Sequence, residues 1–260
     1  MLSSVSAFFP CYNDRETIPD LVSKVEKALA QVTNDYEIIV VDDGSRDGSV
    51  DVLRALAAES TRLRLVLHER NQGYGAALAS GFRAATKDFV FYTDGDGQYD
   101  PSEMTILAAL MRPGVDVVNG YKRSRQDPWY RRLVGSLYQK AARALFSLPI
   151  RDVDCDFRLL RREALRDVEL ESNDGAICVE LVRKLKDSGA RMVEIPVSHY
   201  ARAFGTSQFF KPVRVLRAIR GFVRWYFKLV VLQQQKRRVR LLARQRTAVA
   251  DAAVSGQADG

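Results

Sequence analysis

Short apolar runs alternate with longer segments whose apolar residues recur at helical spacing over the first 120 residues of the chain. The short runs predict strands, and the longer segments predict helices. Strands that alternate with helices are typical of βαβ units, so we expect an α/β fold with a mostly parallel sheet and helices on both faces. The predicted strands are Val5–Phe9, Glu37–Val41, Leu63–Leu67, Phe89–Thr93 and Val115–Asn119, and the predicted helices are Thr17–Gln31, Val50–Ala58, Ala76–Ala85 and Pro101–Met111.

The alternation weakens after residue 120. The pattern there predicts helices over Leu133–Leu148 and Ala176–Asp187 and strands over Phe157–Leu160 and Met192–Ile195. Small and polar residues fill positions 247–260, and we expect this end to be a disordered tail. We therefore divide the chain into an α/β domain at 1–208, a basic helical segment at 209–246 and the tail at 247–260.

The composition is that of an ordinary globular protein, with 47% hydrophobic and 28% charged residues. The three cysteines, Cys11, Cys155 and Cys178, lie far apart, which favours a reducing compartment and offers no CxxC metal pair. The N-terminus has no basic region before its short apolar run, so it predicts a strand rather than a signal peptide. No uncharged apolar run approaches the roughly 18 residues that a transmembrane helix needs.

The charge of the chain is unevenly distributed. Residues 1–200 contain 27 basic and 30 acidic side chains, whereas residues 201–246 contain 13 basic and no acidic side chains. The formal net charge of the whole chain is +8. A segment so rich in cations favours a polyanionic partner, which is a membrane surface, a nucleic acid or an acidic protein.

The basic segment has the pattern of an amphipathic helix between residues 211 and 233. Its cations fall within one arc of roughly 120°, and bulky apolar residues occupy the other side. Such helices lie in the membrane interface and favour anionic lipids. Two alternatives are that the apolar face packs on the rest of the chain or forms an oligomer interface. Nucleic-acid binding is disfavoured because no recognised module accompanies the charge. The cations are Arg214, Arg217, Arg220, Arg224 and Lys228.

Polar, glycine-rich and aspartate-rich stretches follow four of the predicted strands. Ligands of parallel α/β sheets bind beyond the carboxyl ends of the strands, so we expect these stretches to converge on one site. The four stretches are Pro10–Asp14, Asp42–Asp47, Asn71–Gly75 and Asp94–Asp100.

Two of these stretches carry carboxylates with a specific chemical use. Asp94 and Asp96 flank Gly95 after a buried strand, a pattern that suits a hard divalent cation with oxygen ligands. Gly95 would let the backbone approach the ligand closely. Asp42, at another strand end, suits a hydrogen bond to a ribose or a base edge. The alternative for both is an ordinary turn or helix cap, for which aspartate and glycine are common.

The motifs together resemble family 2 glycosyltransferases of the GT-A fold, and the resemblance covers roughly residues 4–210. It rests on the order and spacing of Pro10-x-Tyr12-Asn13-Asp14, Val41-Asp42-Asp43-Gly44-Ser45-x-Asp47, Asn71-x-Gly73-x-Gly75 and Asp94-x-Asp96-x-Gln98. Residues 152–158 and Arg202-x-x-Gly205-x-Ser207 are similar to the polyprenol-phosphate sugar transferases, the dolichol-phosphate mannose synthase branch. The chain departs from the pattern at Asp14, Lys122 and Asp156, where the family often has Glu, Arg and Gly.

The resemblance implies a nucleotide-sugar site with Mg²⁺ or Mn²⁺ held by Asp94, Asp96 and Gln98. Asp152 and Asp154 are candidates for a general base or for a group that orients the acceptor. The alternative for this pair is salt-bridging to Arg151, Arg158 or Arg161. Residues implied to line the nucleotide sugar are Pro10, Tyr12, Asn13, Asp14, Asp42, Asp43, Gly73, Asp94, Gly95, Lys122 and Ser207, and residues implied to act in the transfer are Asp96, Arg123, Asp152, Asp154 and Arg202.

The resemblance further implies an inverting enzyme that transfers a hexose, from GDP-mannose or UDP-glucose, to a polyprenyl phosphate. A lipid acceptor and a basic helix fit a cytoplasmic protein that is peripheral on the inner face of the cell membrane. One alternative is a soluble transferase that acts on a hydroxyl of a polysaccharide or natural product. Another is a catalytically silent membrane-binding scaffold. A homo-oligomer is possible, and no nucleic-acid partner is expected.

Overall fold

A computed structural model describes residues 1–123, 129–202 and 212–243, and the side chains of 1–123, 135–202 and 219–243. Seven strands form one sheet in the order β3-β2-β1-β4-β6-β5-β7. All neighbouring pairs are parallel except those of β6, which runs antiparallel to both β4 and β5. The strands are β1 (Val5–Cys11), β2 (Tyr36–Asp42), β3 (Leu63–Leu67), β4 (Phe89–Thr93), β5 (Val117–Lys122), β6 (Phe157–Arg161) and β7 (Met192–Val197).

Helices cover both faces of this sheet, as the alternating pattern predicts. They are α1 (Ile18–Val32), α2 (Ser49–Glu59), α3 (Tyr74–Ala84), α4 (Met104–Leu110), α5 (Trp129–Phe146), α6 (Ile177–Asp187) and α7 (Pro212–Trp225). Short 3-10 turns occupy Pro101–Glu103 and Arg162–Leu165, a π-helix over Tyr226–Val231 continues α7, and residues 234–243 are again helical. The predicted α/β class is confirmed, and each predicted strand and helix is present, with unchanged ends for β3 and β4 and shifted ends for the others.

Two apolar clusters bury the two faces of the sheet. Successive strand residues point to opposite faces, so Ala7 and Phe9 join the cluster beneath α1, α2 and α4, while Phe8 joins the cluster beneath α3, α5 and α6. Burial on both faces explains why β1 and β2 are continuous apolar runs rather than alternating ones. The three cysteines are free and buried, and they pack as small apolar residues in these clusters.

The apolar side of the C-terminal helix divides into two rows. Trp225 and Leu229 are buried against the second cluster, whereas Val223 and Phe227 are 50% and 55% exposed. The ammonium groups of Lys184 and Lys228 lie 5.0 and 4.9 Å from the centroid of the Trp225 ring. Among the side chains that the structure describes from residue 219 onward, the inner row packs on the rest of the chain, as the packing alternative predicts, and the outer row is left for another partner.

Acidic residues of the body pair with two cations of the C-terminal helical segment. Lys228 donates a 2.7 Å hydrogen bond to Glu171, which also accepts one from Lys184. Arg238 pairs with Glu169. None of the described helices is long and apolar enough to cross a membrane.

The two rows predict unequal effects of truncating an aromatic side chain. Trp225→Ala should lower the free energy of unfolding by about 3–5 kcal/mol because it leaves a cavity in the second cluster. The matched variant Phe227→Ala should change it by less than about 0.5 kcal/mol because the ring is half exposed. Urea unfolding of both variants measures the difference. Equal effects would contradict the division into rows.

Candidate active site

The sheet topology gathers the sequence-predicted residues at one edge. The parallel strands β1, β2 and β4 end there, and the antiparallel β6 begins there. Thr93 of β4 pairs with Phe157 of β6, so the residues just beyond this pair, Asp94 and Asp156, lie beside each other. The stretch from 152 to 156 thereby joins the loops that follow β1, β2 and β4.

The loops after β1 and β2 are tied together by hydrogen bonds. The amide of Asn13 donates to Ser45 Oγ at 2.9 Å, and the amide of Arg46 donates to Asn13 Oδ1 at 2.8 Å. Asn13 also has a φ of 58°, in the left-handed region. Its side chain is thus used to shape the loop, while the neighbouring Tyr12 is 39% exposed and available to stack on a base.

Asp14 faces the interior of the site from the end of this loop. The amide of Tyr12 donates to Asp14 Oδ2 at 3.2 Å. Burial raises the pKa of Asp14 to about 6, and the nearby Asp96 adds to the increase, although the Tyr12 amide and Arg202 oppose it. The structure therefore places Asp14 close to the charges of the predicted metal site.

Asp42 is buried with one carboxylate oxygen free. Its Oδ2 accepts the amides of Gly44 and Ser45 at 3.1 and 3.0 Å, whereas its Oδ1 is buried and has no hydrogen-bond partner. A buried acceptor without a partner is costly, so a ligand that displaces the atoms covering Oδ1 and donates to it would be stabilised. A cavity of about 340 Å³ beside it is lined by Asp42, Gly44, Ser45, Arg46, Val50, Arg54, Leu67, His68, Glu69 and Arg70.

The neighbouring Asp43 has a different set of partners. Its carboxylate accepts the amides of Gln72 and Gly73 at 2.8 and 2.9 Å and lies 2.7 Å from His68 Nδ1. His68 also contacts Ser80 Oγ at 3.0 Å. These contacts fix the loop between β3 and α3, so we interpret Asp43 as a residue that positions Gly73 rather than as a direct ligand of the nucleotide.

Two glycines of the predicted site allow close packing within the protein. A Cβ on Gly73, whose φ is 107°, would lie 2.2 Å from the carbonyl oxygen of Asn173. A Cβ on Gly95 would lie 2.0 Å from the carbonyl oxygen of Pro10. Gly95 therefore allows the ends of β4 and β1 to pack closely, and its approach to a ligand stays a prediction.

Asp94 lies in a crowded group of carboxylates. The hydroxyl of Tyr74 is 2.7 Å from Asp94 Oδ1 and 2.7 Å from Asp156 Oδ2. Burial, with the charges of Asp156 and Asp96, raises the pKa of Asp94 well above its ordinary value. A nearby cation would offset this repulsion.

Asp96 already faces a cation of the protein. Its Oδ2 pairs with the Arg202 guanidinium at 2.5 Å, and its Oδ1 accepts the amide of Gln98 at 3.1 Å. The side-chain amide of Gln98 donates to the carbonyl of Tyr200 at 2.8 Å. Gln98 therefore holds the segment that carries Arg202 next to the aspartates.

Asp152 and Asp154 are joined by a glutamine that sequence reasoning missed. The Gln139 side-chain nitrogen donates to Asp152 at 2.9 Å and to Asp154 at 2.8 Å, and Lys122 Nζ donates to the Asp154 carbonyl at 3.0 Å. Burial and the charge of Asp152 raise the pKa of Asp154 to about 7. The signal in the sequence was that Gln139 is a polar residue on the buried side of α5, between residues that pack into the core.

The arginines proposed as salt-bridge partners of that pair have other contacts. Arg151 pairs with Glu194 at 3.8 Å, and Arg161 donates to the carbonyl of Val115 at 2.8 Å. Arg158 is fully buried, 3.7 Å from Asp156, and donates to Asn119, Tyr92 and the carbonyl of Val153.

Two further residues predicted for the site are Arg123 and Ser207. Arg123 is exposed at the end of β5, where its amide donates to the carbonyl of Val197 at 3.0 Å. Ser207 lies outside the described residues.

The residues present fit a divalent cation that is completed by its substrate. Within the described part of the chain, no group of three or more His, Cys, Asp or Glu side chains could hold a metal ion. Asp94 and Asp96 remain as the carboxylates that the protein supplies. Mg²⁺ commonly uses one or two carboxylates together with water and substrate phosphates, so a pair of aspartates suffices.

The raised pKa of Asp154 predicts a pH-dependent stability. Its protonated form stabilises the fold at low pH, and this contribution is lost as the pH rises from about 4 to about 7. Asp154→Asn removes the titration, so its Tm relative to the parent should rise by several degrees between pH 5 and pH 8. One kcal/mol corresponds to roughly 2–4 °C in a chain of this size. A difference that does not change with pH would contradict the assignment.

A family model and a known relative match this chain. A family model described as Glycosyl transferase family 2 matches residues 6–169. The chain is 35% identical over 211 residues to the undecaprenyl-phosphate 4-deoxy-4-formamido-L-arabinose transferase of Aeromonas hydrophila subsp. hydrophila. The alignment covers 79% of this chain and 62% of that relative, so the chain spans less than two thirds of the relative's length.

Solved structures of low sequence identity share the fold. Glucosyl-3-phosphoglycerate synthase from Mycobacterium tuberculosis, in complex with Mn²⁺, UDP and phosphoglyceric acid, superimposes with a TM-score of 0.62 at 18% identity, over 87% of this chain and 78% of that one. The complex of that enzyme with Mg²⁺ and UDP gives a TM-score of 0.63 at 16% identity, over 85% and 79%. The family model matches more than half of the chain, and the chain therefore belongs to glycosyl transferase family 2.

Proposed function

We propose that this chain is a metal-dependent inverting glycosyltransferase that moves a sugar from a nucleotide sugar to a polyprenyl phosphate. The observation that carries the proposal is the aspartate pair Asp94 and Asp96 beside Arg202 at the carboxyl edge of the sheet, in a chain of this family. The relative at 35% identity is named for an undecaprenyl-phosphate substrate, which supports the lipid phosphate as acceptor.

The donor nucleotide is uridine diphosphate in this proposal. Asp42 offers one free buried oxygen, because its other oxygen accepts two loop amides. Uracil presents a single imide N–H, which matches one acceptor, whereas guanine presents a pair of adjacent donors. The structural neighbours that contain UDP agree with this choice. We therefore favour UDP-glucose or another UDP-sugar over GDP-mannose.

The transfer is a displacement at the anomeric carbon. An oxygen of the acceptor phosphate forms the new bond to that carbon, the bond to the diphosphate oxygen breaks, and its electron pair leaves with the nucleoside diphosphate. Bound Mg²⁺ or Mn²⁺ supplies charge neutralisation to the leaving diphosphate. Arg202 and Lys122 lie at the same edge and add electrostatic stabilisation of the same negative charge.

A phosphate acceptor needs no general base. Its second pKa is roughly 6, so its oxygen is already ionised at neutral pH. Asp152 and Asp154 are held by Gln139, which suits a role in orienting the acceptor.

One observation favours a second candidate, transfer to a sugar hydroxyl. A hydroxyl acceptor requires proton removal, and Asp154 has a pKa of about 7, close to the value that suits a general base. A catalytically silent scaffold has no comparable support, because it would not need Asp94 and Asp96.

We place the reaction at the inner face of the cell membrane. Val223 and Phe227 form an exposed apolar row on the C-terminal helix, beside the exposed cations Arg220 and Arg224. Leu145 of α5 is also exposed, and its neighbour Phe146 packs against Phe222. Apolar and cationic groups side by side suit the surface of an anionic bilayer.

A transfer assay tests the proposed function. Purified full-length chain with Mn²⁺ is given radiolabelled UDP-glucose, GDP-mannose or the UDP form of 4-deoxy-4-formamido-L-arabinose, with and without a short polyprenyl phosphate. We expect label to enter the lipid phase from a UDP-sugar, and Asp96→Ala to abolish the transfer. Label that moves only to hydroxyl acceptors would support the second candidate. Transfer by Asp96→Ala at the parent rate would overturn the metal assignment.

Vesicle binding tests the membrane proposal. Replacing Arg220 and Arg224 by Glu should weaken binding to phosphatidylglycerol-rich vesicles more than tenfold, since each cation near an anionic surface contributes about 1 kcal/mol. The control reverses Arg83 and Arg112, two exposed arginines of the body, and should bind nearly as the parent. Equal binding of all three proteins would exclude this surface, and dimerisation through the outer row would indicate a second copy as its partner.

A further inference from the structure

One tyrosine hydroxyl links a predicted metal ligand to a buried carboxylate. Tyr74 begins α3, and its hydroxyl oxygen lies 2.7 Å from Asp94 Oδ1 and 2.7 Å from Asp156 Oδ2. Neither Tyr74 nor Asp156 has a role in the proposed transfer. Both distances are short enough for hydrogen bonds. Because the hydroxyl carries a single proton, it donates to one of the two carboxylates, and the other contact requires a protonated carboxyl group that donates to the phenol oxygen.

The backbone on both sides of Tyr74 is fixed. The Gly73 amide donates to Asp43 at 2.9 Å, and the Gly75 amide donates to the carbonyl of Asn173 at 3.1 Å. A Cβ on Gly75 would lie 2.2 Å from the carbonyl oxygen of Ser172, so the chain has no room to shift there. The backbone that carries the Tyr74 ring is therefore rigid.

Asp156, the second carboxylate that Tyr74 contacts, is also held in place by its neighbours. Its Oδ1 accepts a hydrogen bond from the Tyr92 hydroxyl at 3.2 Å, and Arg158 lies 3.7 Å away. The thiol of Cys178 is 3.4 Å from the same oxygen. Its other oxygen, Oδ2, is the one that faces Tyr74.

We propose that Tyr74 and Asp156 are positioning residues that fix the orientation of Asp94 for the divalent cation. The proposal rests on the metal-dependent function stated above. The hydrogen bonds of the described residues reach only Oδ1 of Asp94, so Oδ2 is the oxygen presented to the cation. Without the hydroxyl, the Asp94 carboxylate could rotate, and a well-directed ligand would be lost. Loss of a residue that hydrogen-bonds a metal ligand typically weakens metal binding by about 10–100-fold.

The test compares two tyrosines that both contact Asp156. Tyr74→Phe removes the hydroxyl between the two aspartates, whereas Tyr92→Phe removes a buried hydroxyl that touches Asp156 and not Asp94. Mn²⁺ binding to the full-length chain is measured by electron paramagnetic resonance, and UDP binding without metal by calorimetry. We expect Tyr74→Phe to weaken Mn²⁺ binding at least tenfold and to leave UDP binding unchanged. Tyr92→Phe should keep Mn²⁺ affinity within about threefold, although it also disturbs Arg158.

A second pair of variants keeps the test independent of folding defects. Asp156→Asn retains an oxygen that can accept from Tyr74, so it should weaken Mn²⁺ binding less than Asp156→Ala. Unchanged Mn²⁺ affinity in folded Tyr74→Phe would overturn the positioning role while leaving the metal site intact. A parent protein that binds no Mn²⁺, with or without UDP, would overturn the metal-dependent function and this inference together.

Discussion

Repulsion among carboxylates at the carboxyl edge of the sheet is the constraint on which the site depends. The topology brings Asp94, Asp96 and Asp156 together, and burial with the charges of the other two carboxylates raises the pKa of Asp94 well above its ordinary value. The protein compensates with buried or half-buried cations. Arg202 pairs with Asp96, and Arg158 lies beside Asp156. A divalent cation would add to this compensation, and this is the electrostatic reason for the metal-bound diphosphate that we propose at this edge.

The same edge is connected to the C-terminal helix by one short segment. Glu171 binds Lys228, the carbonyl of Asn173 packs on Gly73, and Asp174 lies against Gly221 of α7. Residues 171–174 thus touch both the loop that begins α3 and the helix that carries the basic charge. The position of Tyr74, and through it that of Asp94, depends on packing that the C-terminal helix helps to complete.

Several parts of this arrangement could be predicted because their signals are local. Strand and helix periodicity indicated the elements, and loops rich in aspartate and glycine at strand ends indicated the edge that carries Asp42, Asp94 and Asp96. Other parts could not. The antiparallel β6 is an ordinary apolar run in the sequence, and its insertion beside β4 is decided by pairing with β4 and β5. That insertion alone places Asp156 next to Asp94.

The sequence by itself determined the α/β class, the chemistry of the predicted metal and nucleotide loops and the concentration of cations after residue 200. These follow from periodicity and residue type, which act over a few positions. Only the tertiary structure decided which side chains meet across the sheet. Gln139 joins Asp152 to Asp154, and the Asp43 carboxylate accepts the amide of Gly73. Trp225 and Leu229 of the C-terminal helical segment are buried against the body. Contacts between residues far apart in the chain depend on how the elements pack, and no local pattern encodes them.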